Sequence, residues 1–405
     1  MVGFGYPWAV IAPILIGLGI VDLDALRVTA IANNAPVSYG AMGVPIIVLA
    51  SVTGLPLMKV SASVGDIVAL LALAPPWILI YLVAGKKGFK DGWPLAIVGS
   101  LSYILGQWPV AHYLGPYLPD ITGAIVSFVC ILLFLKVWCP KSTLAFGGSE
   151  VQSTRTFGRS DLTSREVFYS WVPIIILVIV VLAGTGPWSH LGDISFMKID
   201  VKGFSSISHK AVSVLFNWTP FSGGTWIFFS WIIIVLLFAK KSFKVMGDVF
   251  RTTFRQMWGA LLVGFFIFGL ANIFNFSGMA ASLAYAFSKV GPIIYIILAP
   301  ILGWIGVALS GSNTSTNAMF GAFQAMVGKL LGFPALLLPS LNSVGAEVGK
   351  PIAPQTASVG VSTTGFTRKE GDVIRYNMGW TLFGLAYLIV IGLLYYFLAP
   401  NVMKI

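Results

Sequence analysis

A dense group of small polar side chains interrupts an apolar part of the chain between positions 310 and 317. The group lies in the stretch LSGSNTSTNAMFGAFQ, Leu309 to Gln324. Hydroxyls and carboxamides can donate and accept hydrogen bonds, and the backbone amides that begin a helix carry a partial positive charge. Together they can replace the water around a small anion or cation. The pattern therefore predicts a binding site, and the alternative is a short loop at a membrane surface.

A second interrupted stretch, DLDALRVTAIANNAPVSYGAMGVPIIVLASVTGL, has a similar composition. Its two apolar parts, Ala25 to Ala32 and Val44 to Leu55, are each too short to cross a bilayer. The residues between them are Asn, Pro, Ser and Gly: Asn33, Asn34, Pro36, Ser38, Gly40 and Gly43. Paired interruptions of this kind are the best sequence indication of a transporter binding site. We expect the regions of Asn33 and Asn313 to meet near the middle of the membrane.

A third interrupted stretch, Pro339 to Gly365, contains an acid and a base three positions apart. If this stretch is a buried helix, Glu347 and Lys350 can neutralise one another as a structural pair. Alternatively, a substrate carboxylate replaces Glu347 as the partner of Lys350, and Glu347 then takes up a proton because it has lost its cation. Asp66, at the start of another span, is the second candidate for the proton carrier.

These interruptions supply the predicted site. We expect one set of side chains to hold the carboxylate and hydroxyl groups of a substrate: Asn313, Thr314, Ser315, Asn33, Asn34, Lys350 and Gln355. Proton coupling is assigned to Glu347 or Asp66. A single compact cation such as Lys350 suits one carboxylate, whereas a dicarboxylate would ordinarily need a second.

The composition places these motifs in a membrane protein. Of 405 residues, 57% are hydrophobic and 10% are charged, and the mean hydropathy is +0.89. Soluble domains carry about 25% charged residues. The net charge of +11 does not indicate a nucleic-acid-binding protein, because the basic residues lie between apolar runs rather than on one soluble face. By the positive-inside rule, the loops that carry these basic residues are cytoplasmic.

The order of apolar and polar runs predicts an all-α polytopic membrane protein with roughly a dozen transmembrane segments, some of them broken helices or hairpins. Residues 1–138 form a first membrane half and residues 169–405 a second, joined by a cytoplasmic linker over 139–168. We expect Val64 to Val83 to span the membrane despite Pro75 and Pro76. The external connection of the second half should contain an interfacial helix around Ser208 to Asn217.

Four ordered motifs resemble those of the L-lactate permease family: GFGYPWAVIAPILIGLG, IANNAPVSYGAMGVPI, GSNTSTNAMFGAFQ and GKPIAPQTASVGV. The match runs nearly from end to end. The resemblance implies a proton-coupled importer of lactate or glycolate within the ion transporter superfamily. Members of that superfamily are built from inverted repeats whose hairpin tips carry motifs similar to Ser-Asn-Thr.

The chain departs from the family pattern at two points. Family members extend further at the amino end, so we expect one or more initial helices to be missing from this sequence. Glu347 stands before the Gly349 and Lys350 pair, where the family pattern is apolar. This departure leaves the coupling ion and the 2-hydroxy acid open.

Other functions fit the sequence less well. A dicarboxylate or other organic-anion transporter of the same superfamily, with sodium as an alternative coupling ion, is the second interpretation, and a passive channel is a further one. An intramembrane enzyme would need a nucleophile with a base or a metal, and no such motif occurs within a span. An ATP-binding loop is absent. The two cysteines and three histidines lack the spacing of metal ligands, so we expect no cofactor or metal. The expected partners are a monocarboxylate, a proton or sodium ion and the lipid bilayer, with a homodimer left open.

Overall fold

The computed structural model describes residues 6–17, 19–34, 37–139, 163–185, 189, 191, 194–205, 210–218, 220–221, 223–362, 364 and 369–405. The helices in chain order are α1 Tyr6–Gly17, α2 Asp22–Ala32, α3 Gly40–Thr53, α4 Leu57–Leu71, α5 Pro75–Tyr113, α6 Pro119–Val137, α7 Ser164–Thr185, α8 Gly223–Leu237, α9 Ala239–Phe276, α10 Met279–Ser288, α11 Pro292–Ser310, α12 Asn313–Leu331, α13 Leu337–Gly349, α14 Pro354–Val361 and α15 Glu370–Leu398. Short 3₁₀ turns cover Val37–Tyr39, Lys350–Ile352 and Pro400–Met403.

The helices have the length and composition of membrane spans. Four helical stretches in the described ranges can cross a bilayer: Leu57–Tyr113, Pro119–Val137, Pro292–Ser310 and Glu370–Leu398. The helices Asp22–Ala32 and Val37–Thr53, bent by 72° at their break, make a fifth if both belong to one span. The expected class, an all-α polytopic membrane protein, is confirmed. The total of about a dozen segments and their inverted repetition stay predictions.

The chain forms two compact units. Residues Met1–Gln152 and Met279–Ile405 make the first, and residues Ser153–Gly278 make the second. The first unit holds all three interrupted stretches. The predicted division into halves around the linker over 139–168 stays a prediction, because residues 140–162 lie outside the described ranges.

In the second unit the expected interfacial helix around Ser208 to Asn217 is wrong. Residues 210–218 instead form strand β2, Lys210–Trp218, antiparallel to β1, Met197–Ser205, with Met197 opposite Trp218. Branched or aromatic residues alternate with other residues in β2, at Val212, Val214, Phe216 and Trp218, and over a shorter stretch in β1, at Ile199 and Val201. This period of two favours a strand, whereas an amphipathic helix needs a period near 3.6.

The expected span from Val64 to Val83 lies within the stretch Leu57–Tyr113, which can cross a bilayer but is divided into two helices at residues 72–74. Helix α4 ends at Leu71, and the two prolines occupy the first positions of α5. Proline has no backbone N–H and suits the start of a helix, where that N–H would have no intrahelical partner. Further along, Gly85 interrupts α5 with a φ of +61° just before Lys86 and Lys87.

Helix α13 lies at the centre of the first unit. All 13 of its residues are buried, and it packs against α3, α4, α11, α12 and α15. Its crossing with α11 depends on small residues. A methyl group on Gly345 would collide with the carbonyl oxygen of Pro300, and one on Gly303 would collide with that of Asn342. Close contact through glycine is typical of helix pairs in membranes.

Candidate functional site

The polar cluster at 310–317 forms the tip between α11 and α12. Helix α11 ends at Ser310, Gly311 takes the left-handed conformation with a φ of +70°, and α12 begins at Asn313. Glycine adopts this conformation without strain at the end of a helix. Ser312 caps the next helix, because its hydroxyl accepts a hydrogen bond of 3.4 Å from the backbone N–H of Ser315. The carboxyl end of one helix therefore meets the amino end of another.

The break between α2 and α3 contacts this tip through Ser38. This residue lies in the 3₁₀ turn Val37–Tyr39 and is fully buried. The side-chain amide of Asn313 donates a 3.4 Å hydrogen bond to the Ser38 hydroxyl. The structure thus brings the first and second interruptions together. Their depth in the membrane stays a prediction.

The third interruption approaches both of the others. Helix α13 ends at Gly349 and the chain continues as the 3₁₀ turn Lys350–Ile352. Glu347 accepts a 3.0 Å hydrogen bond at Oε2 from the backbone N–H of Ser38. The Lys350 Nζ donates a 2.6 Å hydrogen bond to the carbonyl oxygen of Gly311. All three broken segments therefore converge within the first unit.

Glu347 and Lys350 do not form the structural ion pair that their spacing allows. Each side chain binds a different segment, and no ion pair joins the two in the part of the chain described. The helix ends between them at Gly349, so the i, i+3 geometry of a continuous helix does not apply. Lys350 instead lies on the last carbonyls of α11, where the helix dipole favours a cation.

The two asparagines of the second interrupted stretch, Asn33 and Asn34, lie at the end of α2. Asn33 is half-buried, and its backbone N–H donates to the carbonyl oxygen of Thr29 at 3.1 Å. Asn34 is buried, and its backbone N–H donates to the carbonyl oxygen of Ile31 at 3.1 Å. Sequence reasoning did not assign Ser38 to the site, although this residue makes the contact with Asn313. The substrate role of the asparagines stays a prediction.

The remaining predicted substrate residues lie near the hairpin tip. Thr314 is half-buried and Ser315 is buried in the first turn of α12. Gln355 is exposed at the start of α14, and its Cβ would be 2.8 Å from a methyl group on Gly311. These positions surround the tip, but their contact with a substrate stays a prediction.

Three buried oxygen atoms from the converging segments have no hydrogen-bond partner in the described ranges. They are the side-chain oxygens Oδ1 of Asn34, Oδ1 of Asn313 and Oε1 of Glu347. A buried acceptor without a donor is unfavourable by about 1–3 kcal/mol. All three atoms could accept a hydrogen bond from a substrate hydroxyl, and a proton on Glu347 would turn one acceptor into a donor.

A neighbouring set of carboxamides is fully paired. Gln324 donates from Nε2 to Asn342 Oδ1 at 3.4 Å, Asn342 donates to Asn317 Oδ1 at 3.2 Å, and Asn317 donates to Ser343 Oγ at 2.9 Å. Tyr295 donates to Gln324 Oε1 at 2.9 Å. Since these groups satisfy one another, the network joins α11, α12 and α13 and supports the hairpin tip from one side.

Asp66, the second predicted proton carrier, lies in a different cluster. Its Oδ1 accepts a 2.8 Å hydrogen bond from Trp108 Nε1 and lies 3.2 Å from His112 Nε2. Sequence reasoning missed both partners. The available signal was their spacing, because positions 108 and 112 lie on one face of a helix. The coupling role of Asp66 stays a prediction.

Comparison with known proteins gives consistent results over nearly the whole chain. A family model described as L-lactate permease matches residues 1–402. The glycolate permease GlcA of Escherichia coli K12 is 33% identical over 419 residues, covering 97% of this chain and 74% of the relative. The L-lactate permease of Bacillus subtilis is 31% identical over 424 residues, covering 97% and 75%. That of Salmonella typhimurium is 30% identical over 399 residues, covering 94% and 72%.

Among solved structures, the YdaH transporter of Alcanivorax borkumensis aligns with 98% of this chain and 83% of its own. The TM-score is 0.41 and the sequence identity is 16%.

Proposed function

The chain belongs to the L-lactate permease family, and on this premise we propose that it imports L-lactate or glycolate together with protons. It is a permease rather than an enzyme, and it is a multi-pass protein of the plasma membrane. The observation that carries the proposal is the convergence of three broken segments at Ser38 and Gly311. Each break leaves helix-end groups and polar side chains available to a ligand.

Lys350 supplies the positive charge for a substrate carboxylate. Its ammonium group has three donors, and the carbonyl oxygen of Gly311 takes one of them. Two donors can therefore turn toward a carboxylate without loss of the existing contact. The first amides of α12, after Ser312, add a partial positive charge from the same hairpin tip.

The unpaired acceptors suit the second functional group of a 2-hydroxy acid. A hydroxyl next to the carboxylate can donate to Oδ1 of Asn313 or Asn34, which are buried without partners in the described ranges. A monocarboxylate without this hydroxyl would leave these atoms unsatisfied. The site would discriminate against such an analogue, because a site built for a hydrogen bond rejects a ligand that cannot form it.

Glu347 is the group that couples transport to protons in this proposal. It is 0% exposed, and Oε2 holds the N–H of Ser38 while Oε1 has no partner in the described ranges. A buried carboxyl without a cation favours its neutral form. Because Glu347 and Lys350 bind different segments, Glu347 can hold a proton while Lys350 binds the substrate carboxylate, so one site can hold proton and substrate together.

The alternative, a dicarboxylate carrier, would require another cation at the site. Arg27 on α2 is the basic residue closest in sequence to the break between α2 and α3. Its guanidinium group, however, stacks on the Tyr376 ring at 3.0 Å. The Tyr376 hydroxyl in turn donates to Asp24 at 2.9 Å. Because Arg27 is held in this arrangement, the monocarboxylate proposal has more support.

Uptake of labelled substrate into proteoliposomes tests the proposal. Lactate, glycolate, propionate and succinate would each be supplied with a pH gradient or a sodium gradient, imposed separately. We expect accumulation of lactate and glycolate in the pH gradient, abolished by a protonophore, and much weaker uptake of propionate and succinate. Accumulation in the sodium gradient alone would contradict proton coupling, and preferred uptake of succinate would contradict the substrate class.

A further inference from the structure

The contact between α4 and α5 contains a histidine whose hydrogen-bond pattern is restricted. The Nδ1 atom of His112 lies 3.0 Å from the carbonyl oxygen of Trp108, and its Nε2 lies 3.2 Å from Asp66 Oδ1. Trp108 also donates from Nε1 to the same Oδ1 at 2.8 Å. Both ring nitrogens of His112 therefore face oxygen atoms.

The number of protons follows from these partners. A carbonyl oxygen can only accept, so Nδ1 must carry a hydrogen and donate it to Trp108. In a neutral imidazole, Nε2 then has a lone pair, which would face a carboxylate oxygen and be repelled by it. The contact between Nε2 and Asp66 is favourable only if one additional proton lies on Nε2 or on the carboxyl group.

We propose that Asp66 and His112 form a proton-binding site that holds one proton between Oδ1 and Nε2, and that its occupancy is coupled to transport. The inference rests on the proposed function, because it assigns a second proton-binding site to the same permease. The ligand is the proton itself. Loss of this proton would leave the lone pair of Nε2 facing the Asp66 carboxylate. The contact would then be repulsive and would loosen α4 from α5.

The surroundings of the pair support a titrating site rather than a sealed structural contact. The side chains of His112 and Asp66 are 20% and 11% exposed, so neither is sealed inside the protein. The Trp108 and His112 rings lie 4.3 Å apart, and an aromatic face stabilises a nearby cation. These features leave the pair unsealed and stabilise it when the proton is bound.

Other ionisable groups face the pair from each neighbouring element. The Tyr39 hydroxyl before α3 and the Tyr395 hydroxyl on α15 are both close enough for the charge of Asp66 to act on them. On α5, the Tyr113 ring lies 6.3 Å from the His112 ring. Helix α13 contributes Glu347, which is close enough to act on Tyr39. The neutral tyrosines do not repel a carboxylate, so binding of the proton depends on the contact between Asp66 and His112 itself.

The pair can influence the substrate site through α4. Ser63, one turn before Asp66, shares a 2.8 Å hydrogen bond with Ser340 of α13. Helix α13 carries Glu347, and its complete burial leaves little room for independent movement. A shift of α4 would therefore reach the region of Ser38 and Glu347.

Transport measurements on His112→Gln and Asp66→Asn test the coupling. Both amides keep a polar group in place but cannot exchange a proton. In proteoliposomes we expect lactate accumulation driven by a pH gradient to fall at least tenfold, while lactate exchange across the membrane stays measurable. Asp372→Asn, an exposed position at the start of α15, is the matched control and should accumulate lactate normally. Wild-type accumulation and an unchanged pH profile in both variants would overturn the proposal.

A second measurement does not depend on transport. The chain contains only three histidines, so nitrogen NMR of the histidine-labelled protein should give three resolvable imidazoles. We expect one of them, absent in His112→Gln, to titrate with both nitrogens protonated in the bound form and to change its titration midpoint in Asp66→Asn. An imidazole at position 112 that stays neutral at every pH, or titrates identically in Asp66→Asn, would overturn the proton site. If the wild type fails to move lactate but shows this titration, the proposed function fails and the proton site stands.

Discussion

The backbone N–H of Ser38 donates a 3.0 Å hydrogen bond to Oε2 of Glu347, across 309 positions of the sequence. The bond joins the second interrupted stretch to the third at a fully buried carboxyl. A backbone donor stays in place when a side chain is changed, and a carboxamide oxygen can accept from it as a carboxylate does. A glutamine at position 347 can therefore keep this contact although it has no carboxyl to titrate.

Glu347→Gln should separate exchange from accumulation. Because the amide keeps the Ser38 contact but cannot release a proton, we expect measurable lactate exchange and loss of accumulation in a pH gradient. Tracer uptake into proteoliposomes, with and without internal unlabelled lactate, measures both. Retained accumulation would exclude Glu347 as the proton carrier and leave that role to Asp66 with His112.

Lys350→Ala should weaken substrate binding itself. The change removes the cation that we assign to the substrate carboxylate, and a lost charged hydrogen bond weakens binding by about 1.5–3 kcal/mol. We expect the KM of lactate exchange to rise by at least tenfold. Lys404→Ala is the matched control, since that exposed lysine binds Asn401 at the end of the chain. Equal KM values for the two variants would contradict the assignment.

Asn313→Ala should raise the KM of uptake with normal expression in the membrane. The substitution removes a buried amide that bridges the hairpin tip to Ser38 and offers Oδ1 to the substrate. An unmatched polar partner costs about 1–3 kcal/mol, which corresponds to roughly 5- to 150-fold in affinity. Kinetics of Asn401→Ala, an exposed asparagine, serve as the reference. If Asn313→Ala takes up lactate with the wild-type KM, Asn313 does not bind the substrate.

Gly345→Ala should destabilise the crossing of α11 and α13. The added methyl would collide with the carbonyl oxygen of Pro300, and overpacking of a core costs about 1–3 kcal/mol. We expect a lower midpoint of thermal unfolding in detergent. Gly379→Ala in α15 meets no atom within 4 Å and should be neutral or slightly stabilising, because alanine favours a helix. Equal unfolding midpoints for the two variants would show that the crossing of α11 and α13 shifts enough to accommodate the methyl group.

The start of α7 should weaken at acid pH. Thr163 donates from its backbone N–H and its hydroxyl to Oε2 of Glu166, at 2.9 and 2.8 Å, and these bonds lower the pKa of the Glu166 carboxyl. Because the pKa of the Glu166 carboxyl is lower in the folded state than in the unfolded state, the cap is fully formed at any pH above the unfolded pKa. The cap is lost as the pH falls through the folded value.

Amide hydrogen exchange over residues 164–168 measures this effect when Glu166→Gln is the comparison at each pH. The wild type should exchange more slowly than the variant at neutral pH and equally at acid pH. A constant ratio across the pH range would mean that the carboxylate does not cap α7.

Local chemistry made part of the site predictable. Ser312, Asn313 and the preceding Gly311 carry the usual signals for a helix end and a helix start, so the break after α11 could be located from the residues alone. The partners across the fold could not be inferred. Ser38 and Glu347 are joined by packing of the 3₁₀ turn Val37–Tyr39 against α13, which no local pattern specifies.

Other differences have equally specific causes. The ion pair of Glu347 and Lys350 required a continuous helix, and the end of α13 at Gly349 removed that condition. The alternation of branched and aromatic residues in Lys210–Trp218 favours the strand that the structure shows over the expected interfacial helix. The cluster of Asp66, Trp108 and His112 joins two helices. The spacing of Trp108 and His112 within α5 therefore does not identify Asp66 on α4 as their partner.

The complete burial of α13 bears on how the protein is made. A helix of 13 residues containing Asn342, Glu347 and two serines is too short and too polar to enter a bilayer as an independent segment from the ribosome. It can be accommodated only after α3, α4, α11 and α12 have formed a cavity for it, since α4 and α12 supply hydrogen-bond partners for its serines and Asn342. Helix α15, synthesised later, then closes the cavity. Biosynthetic insertion should therefore proceed with α13 held near the translocon or the membrane surface until the last helix emerges.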